Sequence, residues 1–185
     1  MKRDATATRQ RILDHATAEF ARYGIAGARV DRIAAAAGSN KAMLYAYFGS
    51  KDGLFDAVFD AVVVRNVADV PIDASDLAEY AARLADQYER YPEVLRLMAW
   101  DRLERGGEGA RLPAVVAASA HKVEEVRKAQ AAGLIGDHFP PAMLLELIYA
   151  IATIRFDAIT PANGAPPPDL RRRAIKEAVT RLIRA

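Results

Sequence analysis

The chain has 185 residues and a formal net charge of +2. This length accommodates either a single domain or one small module followed by a larger domain with its own core. Residues 1–51, which we call the head, carry nine Lys or Arg and four Asp or Glu, whereas the rest of the chain carries seventeen basic and twenty acidic residues. A basic head of this kind suits phosphate binding. Because the chain lacks cysteine, disulfides, thiolate zinc sites and cysteine nucleophiles are excluded, and we expect a cytoplasmic protein.

The N-terminal segment MKRDATATRQR has no apolar run after its basic residues. It is therefore predicted to be a flexible arm and not a secretory signal. The longest apolar stretch, residues 142–154, contains Glu146 and is too short to cross a bilayer, so no membrane contact is expected.

Residues 28–52 predict two short helices joined by a glycine turn. Val30, Ile33, Ala34 and Ala37 recur on one helical face, and Gly38 ends that helix by allowing a left-handed backbone. Asn40 is a suitable N-cap for a second helix, whose outward face presents Lys41, Ala42 and Tyr45. Such a pair predicts a helix-turn-helix, with its second helix in the major groove of DNA.

This segment resembles the DNA-binding domain of the tetracycline-repressor (TetR) family, and the resemblance runs from about Thr8 to Phe59. Upstream, RQRILDHATAEFARYG is similar to the family's first helix, which would end at Gly24. Downstream, YAYFGSKDGLFDAVF matches a family signature. Its matching positions are Tyr45, Tyr47, Phe48, Lys51 and Leu54.

The resemblance implies which residues touch DNA. Phosphate contacts fall on Arg29, Tyr45, Tyr47 and Lys51, and Lys41 comes nearest to the base edges. The chain has Ser39 and Asn40 where relatives usually place a small apolar residue and a hydroxyl cap. The full predicted set is Arg29, Ser39, Asn40, Lys41, Ala42, Tyr45, Tyr47 and Lys51.

Beyond Phe59 the sequence alternates helical patterns with turn signals and predicts an all-α body. Helices are expected over residues 51–68, 75–91, 92–106, 113–132, 140–159 and 169–184, giving about nine in all. We predict that residues 1–50 form the arm and DNA-binding domain, and that residues 51–185 form a helical ligand-binding and dimerisation domain.

The last two helices carry more apolar surface than the outer helices of a monomer need. The alternative is that both are simply core. In the TetR family the corresponding helices build a four-helix dimer interface, which implies a homodimer. The predicted interface residues are Leu147, Ile151, Ile154, Ile175, Val179 and Leu182.

The family resemblance also implies a dimeric repressor of a palindromic operator that a small molecule releases. A mainly apolar ligand is expected, held between helices four and eight. For each aromatic candidate, ordinary core packing is the alternative, and an exposed pair with Glu125 is the alternative for His121. The candidate lining is Phe59, Val62, Tyr80, Leu84, Tyr88, Met98, Trp100, His121, Tyr149 and Phe156.

An enzyme is not expected. The three histidines lie in different helical contexts without metal-ligand spacing, and there is no glycine-rich phosphate loop, so neither metal nor cofactor is predicted. The competing function is a DNA-binding activator or architectural factor of the same architecture that has no small-molecule inducer.

Overall fold

The computed structural model describes residues 2–154, 164 and 166–184, with side chains from residue 5 onward. This part of the chain holds nine α-helices, one short 3-10 helix at Glu108–Arg111 and no strand, which confirms the all-α prediction. None of these helices is long and apolar enough to span a membrane. The helices are α1 (Lys2–Gly27), α2 (Val30–Ala36), α3 (Lys41–Phe48), α4 (Lys51–Asp69), α5 (Leu77–Arg90), α6 (Glu93–Arg105), α7 (Pro113–Ala131), α8 (Pro141–Ala152) and α9 (Pro168–Leu182).

The chain divides into two compact units. Unit 1 combines Met1–Arg65 with Tyr91–Val116, and unit 2 combines Asn66–Arg90 with Ala117–Ala185. Unit 1 therefore contains α6 as well as the first three helices. The functional boundary at residue 50 stays a prediction.

The core of unit 1 holds α1 to α4 together through large apolar side chains. Phe20 of α1 meets Phe55 of α4 edge to face, with ring centroids 5.2 Å apart. Leu44 of α3 and Leu54 of α4 are fully buried. Burial of an aromatic or leucine side chain contributes about 1.5–3 kcal/mol, so this shared core fixes the short α2 and α3, which are too short to be stable alone.

Helix α6 is bound to the end of α1. The indole N–H of Trp100 donates to the Ala21 carbonyl at 3.4 Å, and the backbone N–H of Ala26 donates to Glu104 Oε2 at 2.7 Å. Gly24 makes this approach possible, because a Cβ there would lie 2.5 Å from Glu104 Oε1, and its φ of 73° favours glycine.

The turn between α3 and α4 also depends on a glycine. Ser50 accepts the Gly53 N–H on its hydroxyl at 2.9 Å and so caps the start of α4. A Cβ on Gly53 would lie only 2.3 Å from the Phe48 carbonyl oxygen, which is backbone and cannot rotate away.

We therefore expect Gly53→Ala to lower the free energy of unfolding by about 1–3 kcal/mol, the usual cost of forcing extra volume into a packed site. Thermal unfolding followed by circular dichroism measures the change. Gly27→Ala is the matched control, because its Cβ would meet only the Tyr23 Cβ at 3.5 Å. Equal melting temperatures for the two variants would contradict the expected crowding.

In unit 2, α5 packs against both α8 and α9. Lys176 of α9 donates to Glu79 of α5 at 2.9 Å, and Arg172 pairs with both Glu79 and Asp86. The hydrogen bond from Lys176 lowers the pKa of Glu79. These pairs set the position of α9 along α5, while buried Ile175 and Val179 supply the apolar contact.

Three predicted boundaries were wrong. The arm is helical, since α1 begins at Lys2, and the alanines at positions 5 and 7 favour helix over a flexible chain. Helix α5 begins at Leu77, because Ser75 joins a turn capped by Asp73 and Asp76 accepts the Glu79 N–H.

Helix α8 ends at Ala152, earlier than the expected residue 159. The hydroxyl of Thr153 donates to the Tyr149 carbonyl at 3.0 Å, and the Ile154 N–H bonds Ile151 in a tighter turn at 3.3 Å. Residues 155–159 lie outside the described part of the chain.

Candidate nucleic-acid interface and regulatory site

The turn before α3 has the predicted chemistry. Gly38 adopts a φ of 61°, as expected for a left-handed helix stop. The side chain of Asn40 then accepts the Met43 N–H at 2.8 Å and caps α3. Leu44 is fully buried beneath α3, which fixes the opposite face of the helix outward.

The outward face of α3 presents Lys41, Ala42 and Tyr45, all exposed. Lys41 Nζ lies 3.2 Å from Asp31 Oδ2 of α2, and both side chains are largely in water. An exposed pair of this kind contributes little free energy, so DNA phosphates or bases can compete for the lysine.

The remaining predicted contacts flank α3. The Arg29 side chain is exposed and makes no hydrogen bond or ion pair within the described residues. Tyr47 is half-buried against Phe48, with ring centroids 6.1 Å apart. Lys51 Nζ already donates to the carbonyls of Ala26 and Ala28, at 3.2 and 3.4 Å, which leaves one N–H for a phosphate.

The prediction that the Ser39 side chain contacts DNA is wrong for this conformation. Its hydroxyl oxygen is buried and has no hydrogen-bond partner in the described chain, and its backbone N–H bonds the Ala34 carbonyl at 2.9 Å. The turn folds this side chain inward, so it is not available to DNA in this conformation.

The predicted dimer residues separate into two groups. Ile175 and Val179 are 1% and 0% exposed, so they are core residues of unit 2, and their assignment to a dimer interface is corrected. Leu147, Ile151 and Leu182 are half-buried, and Ile154 is exposed. Exposed Met143 extends the α8 residues into an apolar stripe, and α9 adds exposed Leu170 to half-buried Leu182.

Several predicted pocket residues have defined places within unit 1. Phe59 is buried against Phe55, with ring centroids 5.9 Å apart, and Val62 is half-buried. Met98 is 47% exposed and Trp100 packs on α1, so the predicted place of these two side chains in a pocket lining is wrong.

Most of the other residues predicted to line the ligand pocket lie in unit 2. Tyr80, Leu84 and Tyr88 are buried on α5, Tyr149 is half-buried on α8, and His121 is exposed. Exposure favours the surface alternative for His121, since Glu125 there pairs with Lys128 at 2.8 Å. Phe156 lies outside the described residues.

One of these three tyrosines, Tyr149, contacts a buried lysine, and the other two are linked to the lysine only through Tyr149. Lys122 of α7 is only 7% exposed, and its Nζ donates to the Tyr149 hydroxyl at 2.9 Å. The hydroxyls of Tyr149 and Tyr80 lie 3.4 Å apart, and Tyr88 is close enough to Tyr149 to couple electrostatically. We call Tyr80, Tyr88, Lys122 and Tyr149 the tyrosine–lysine cluster.

Burial makes the hydroxyls of this cluster harder to ionise than an exposed tyrosine. It raises the pKa of Tyr80 to about 12 and also raises the pKa of Tyr88 and Tyr149. The three phenols are thus neutral hydrogen-bonding groups at physiological pH. Asn66 contacts Tyr88, and its own Oδ1 is buried without a partner among the described residues.

Lys122 was not among the residues predicted from the sequence, because lysine is usually exposed. One signal was present: Ala118, Lys122, Val126 and Ala129 share a single face of α7 at helical spacing. A lysine in an apolar stripe is a candidate for burial. Nothing in the sequence around Asn66 distinguishes it from a surface asparagine.

A capped recognition-type helix, presented by a glycine turn and packed on a preceding helix, defines a helix-turn-helix DNA-binding protein. The family described as bacterial regulatory proteins, tetR family, matches residues 12–58, and the tetracyclin repressor-like C-terminal domain matches residues 76–181. The chain belongs to the TetR family of transcriptional regulators.

Known relatives resemble the chain over most of its length. It is 39% identical to the HTH-type transcriptional repressor SCO4008 of Streptomyces coelicolor, over 98% of this chain and 97% of that protein. It is 33% identical to the HTH-type transcriptional repressor NicS of Pseudomonas putida, over 72% and 68%. The crystal structure of SCO4942 from S. coelicolor superposes with a TM-score of 0.80 at 37% identity, over 95% and 98% of the two chains.

Proposed function

We propose that this regulator is a repressor that binds a palindromic operator as a homodimer and is released by a small molecule. The observation that carries the proposal is the exposed N-terminal face of α3, held outward by buried Leu44 and the Asn40 cap. The relatives SCO4008 and NicS are both named repressors, which supports the sign of regulation.

The proposed DNA contacts follow from exposure and charge. Lys41, Ala42 and Tyr45 meet the base edges and adjacent backbone, with the amide of Asn40 beside them. Arg29, Tyr47 and the remaining N–H of Lys51 bind phosphates. The free guanidinium of Arg29 makes it the strongest phosphate contact of the set.

A homodimer supplies the second recognition helix. Two copies of α3 about 34–36 Å apart would fit successive major-groove faces of a palindrome. We assign the interface to the apolar stripe of α8 together with Leu170 and Leu182 of α9, apolar side chains that a single unit 2 leaves partly or largely exposed. A four-helix contact of roughly 800 Å² per partner is ordinary for a stable dimer.

Ligand release requires that the small molecule prefer the conformation with low DNA affinity. A reversal from mostly bound to mostly free protein needs about 5.5 kcal/mol of preference. The chain passes from unit 1 to unit 2 within α4, the helix that follows α3. A ligand-induced movement of the C-terminal end of α4 would therefore be passed along this helix to the residues next to α3. The competing function, a DNA binder without an inducer, predicts no such ligand.

The test is fluorescence anisotropy on DNA from upstream of the protein's own gene, against shuffled DNA, over a range of salt concentrations. We expect tighter binding to the native sequence. Arg29→Ala should weaken binding to all sequences alike and reduce the salt slope by about two per dimer, one phosphate per head. Arg96→Ala, an exposed arginine of α6, is the charge-matched control and should change neither.

Equal binding of native and shuffled DNA would contradict operator recognition. An unchanged salt slope for Arg29→Ala would remove that residue from the phosphate contacts. Neither outcome depends on knowing the ligand.

A further inference from the structure

The ammonium group of Lys122 is buried in unit 2 with no described carboxylate as its partner. The residue is 93% removed from solvent, yet no carboxylate of the described chain lies within 4.0 Å of its Nζ. Its one hydrogen bond goes to a neutral phenol, Tyr149, and its cation also lies 5.4 Å from the centre of that ring. A buried ion without a counter-charge is costly, so its retention needs a reason.

The hydrogen-bonding capacity around Lys122 is also unfilled. An ammonium group has three donors, and the described residues accept from one of them. The Tyr149 hydroxyl that accepts from Lys122 lies 3.4 Å from the Tyr80 hydroxyl, and since only one of these two hydroxyls donates to the other, one O–H remains able to donate elsewhere. One positive charge with unused N–H donors and a neighbouring neutral O–H is the chemistry that binds an anionic oxygen.

We propose that the tyrosine–lysine cluster is the effector site and that the effector is an organic acid, with one carboxylate held by Lys122 and an apolar body. This inference rests on the proposed ligand-released repressor and names the chemical class of its ligand. It revises the sequence-based expectation of a mainly apolar ligand by adding a single negative charge.

Charge matching selects a monoanion. One lysine neutralises one carboxylate, whereas a doubly charged phosphate would leave a net negative charge buried among the phenols. The three helices that carry the cluster otherwise bury apolar side chains. These include Leu84 of α5, Val126 of α7 and Ile148 of α8, each 0% exposed. The body of the acid is accordingly aliphatic or aromatic.

The test uses matched probes that share an apolar body and differ only in charge. One set is phenylacetate, phenylacetamide and phenethylamine, and the other is octanoate, octanamide and octylamine. Thermal shift and isothermal titration on the full chain at neutral pH measure binding. We expect at least one acid to bind at least 10-fold more tightly than its amide, with its amine weaker still.

Lys122→Met should cost at least 10-fold in affinity for the acid and leave affinity for the amide unchanged. Lys122→Arg should retain the preference for the acid. Lys128→Met is the matched control, an exposed lysine on the same helix that pairs with Glu125. Replacement of a buried ion by an apolar side chain is often neutral or stabilising, so the ligand-free Lys122→Met protein should melt no lower than wild type.

Three results would overturn the inference: acids and amides binding wild type equally, amines binding best, or no acid binding at concentrations up to about 1 mM. The comparison on wild type needs no variant, so it stands even if Lys122→Met fails to fold. Tyr149→Phe, which keeps the ring, gives a second check and should also weaken acid binding.

Operator binding separates this inference from the proposed function. If an amide or amine binds unit 2 and releases DNA, the proposal of a ligand-released repressor holds, and the proposal that the effector is an organic acid is wrong. If an acid binds through Lys122 and leaves operator affinity unchanged, the acid site stands and ligand release fails. Reciprocal linkage requires both effects together if both proposals hold.

Discussion

Replacement of Ile151 by aspartate is expected to convert the proposed homodimer into monomers and to weaken operator binding by about 100-fold or more. The side chain is half-buried on the apolar stripe of α8, beside half-buried Leu147 and exposed Ile154. A charge there would be taken out of water on dimerisation without a partner. Because two linked heads gain about 10²–10⁴ over one, loss of the dimer removes that factor.

Analytical ultracentrifugation and anisotropy on the same samples measure the two effects. Ala142→Asp is the matched control, since it places the same charge on an exposed position of α8 away from the stripe. Val179→Asp is unsuitable, because Val179 is 0% exposed and the change would damage the core of unit 2. A wild-type chain that sediments as a monomer at micromolar concentration contradicts the proposed interface.

Replacement of Lys41 by alanine is expected to change which operator sequence is preferred. Lys41 lies at the N-terminal end of α3 on its exposed face, the part of a recognition helix that reaches base edges. Loss of a direct base contact costs about 1–3 kcal/mol per half-site for the preferred base and little for the others. Selection from a randomised operator library, followed by titration of the enriched sequences, measures the preference.

Asp31→Asn is the comparison variant for Lys41→Ala, because it should change DNA affinity without changing sequence preference. Asp31 holds Lys41 at 3.2 Å in the free protein and would face DNA phosphates in the complex. Removal of its charge should tighten binding to all sequences without changing their order, with a larger effect at low salt. If Lys41→Ala only weakens binding uniformly, Lys41 is a phosphate contact and the base readout falls to Ala42 and Tyr45.

The local pattern of the sequence was sufficient to predict the helices and the turn of the DNA-binding segment. The spacing of Val30, Ile33 and Ala34 predicts α2, the positive φ of Gly38 was expected from its place after that helix, and the Asn40 cap is present. These features depend on neighbours within one or two turns, and for that reason they can be read from the sequence. The end of α8 could not be read in the same way, because the apolar pattern of the sequence continues past Thr153, whereas the backbone leaves the helix there through a tighter bond from the Ile154 N–H to the Ile151 carbonyl.

The residue pattern was enough to predict the helical class, the basic N-terminal segment and the resemblance to the TetR family. The packing of the helices settled which apolar residues are already buried: Ile175 and Leu182 share a pattern on α9, yet Ile175 is packed inside and Leu182 is half-buried. It also decided that Lys122, and not the neighbouring His121, points inward toward Tyr149. Periodicity assigns residues to helix faces, but the choice between core, interface and ligand site depends on which other helices cover each face.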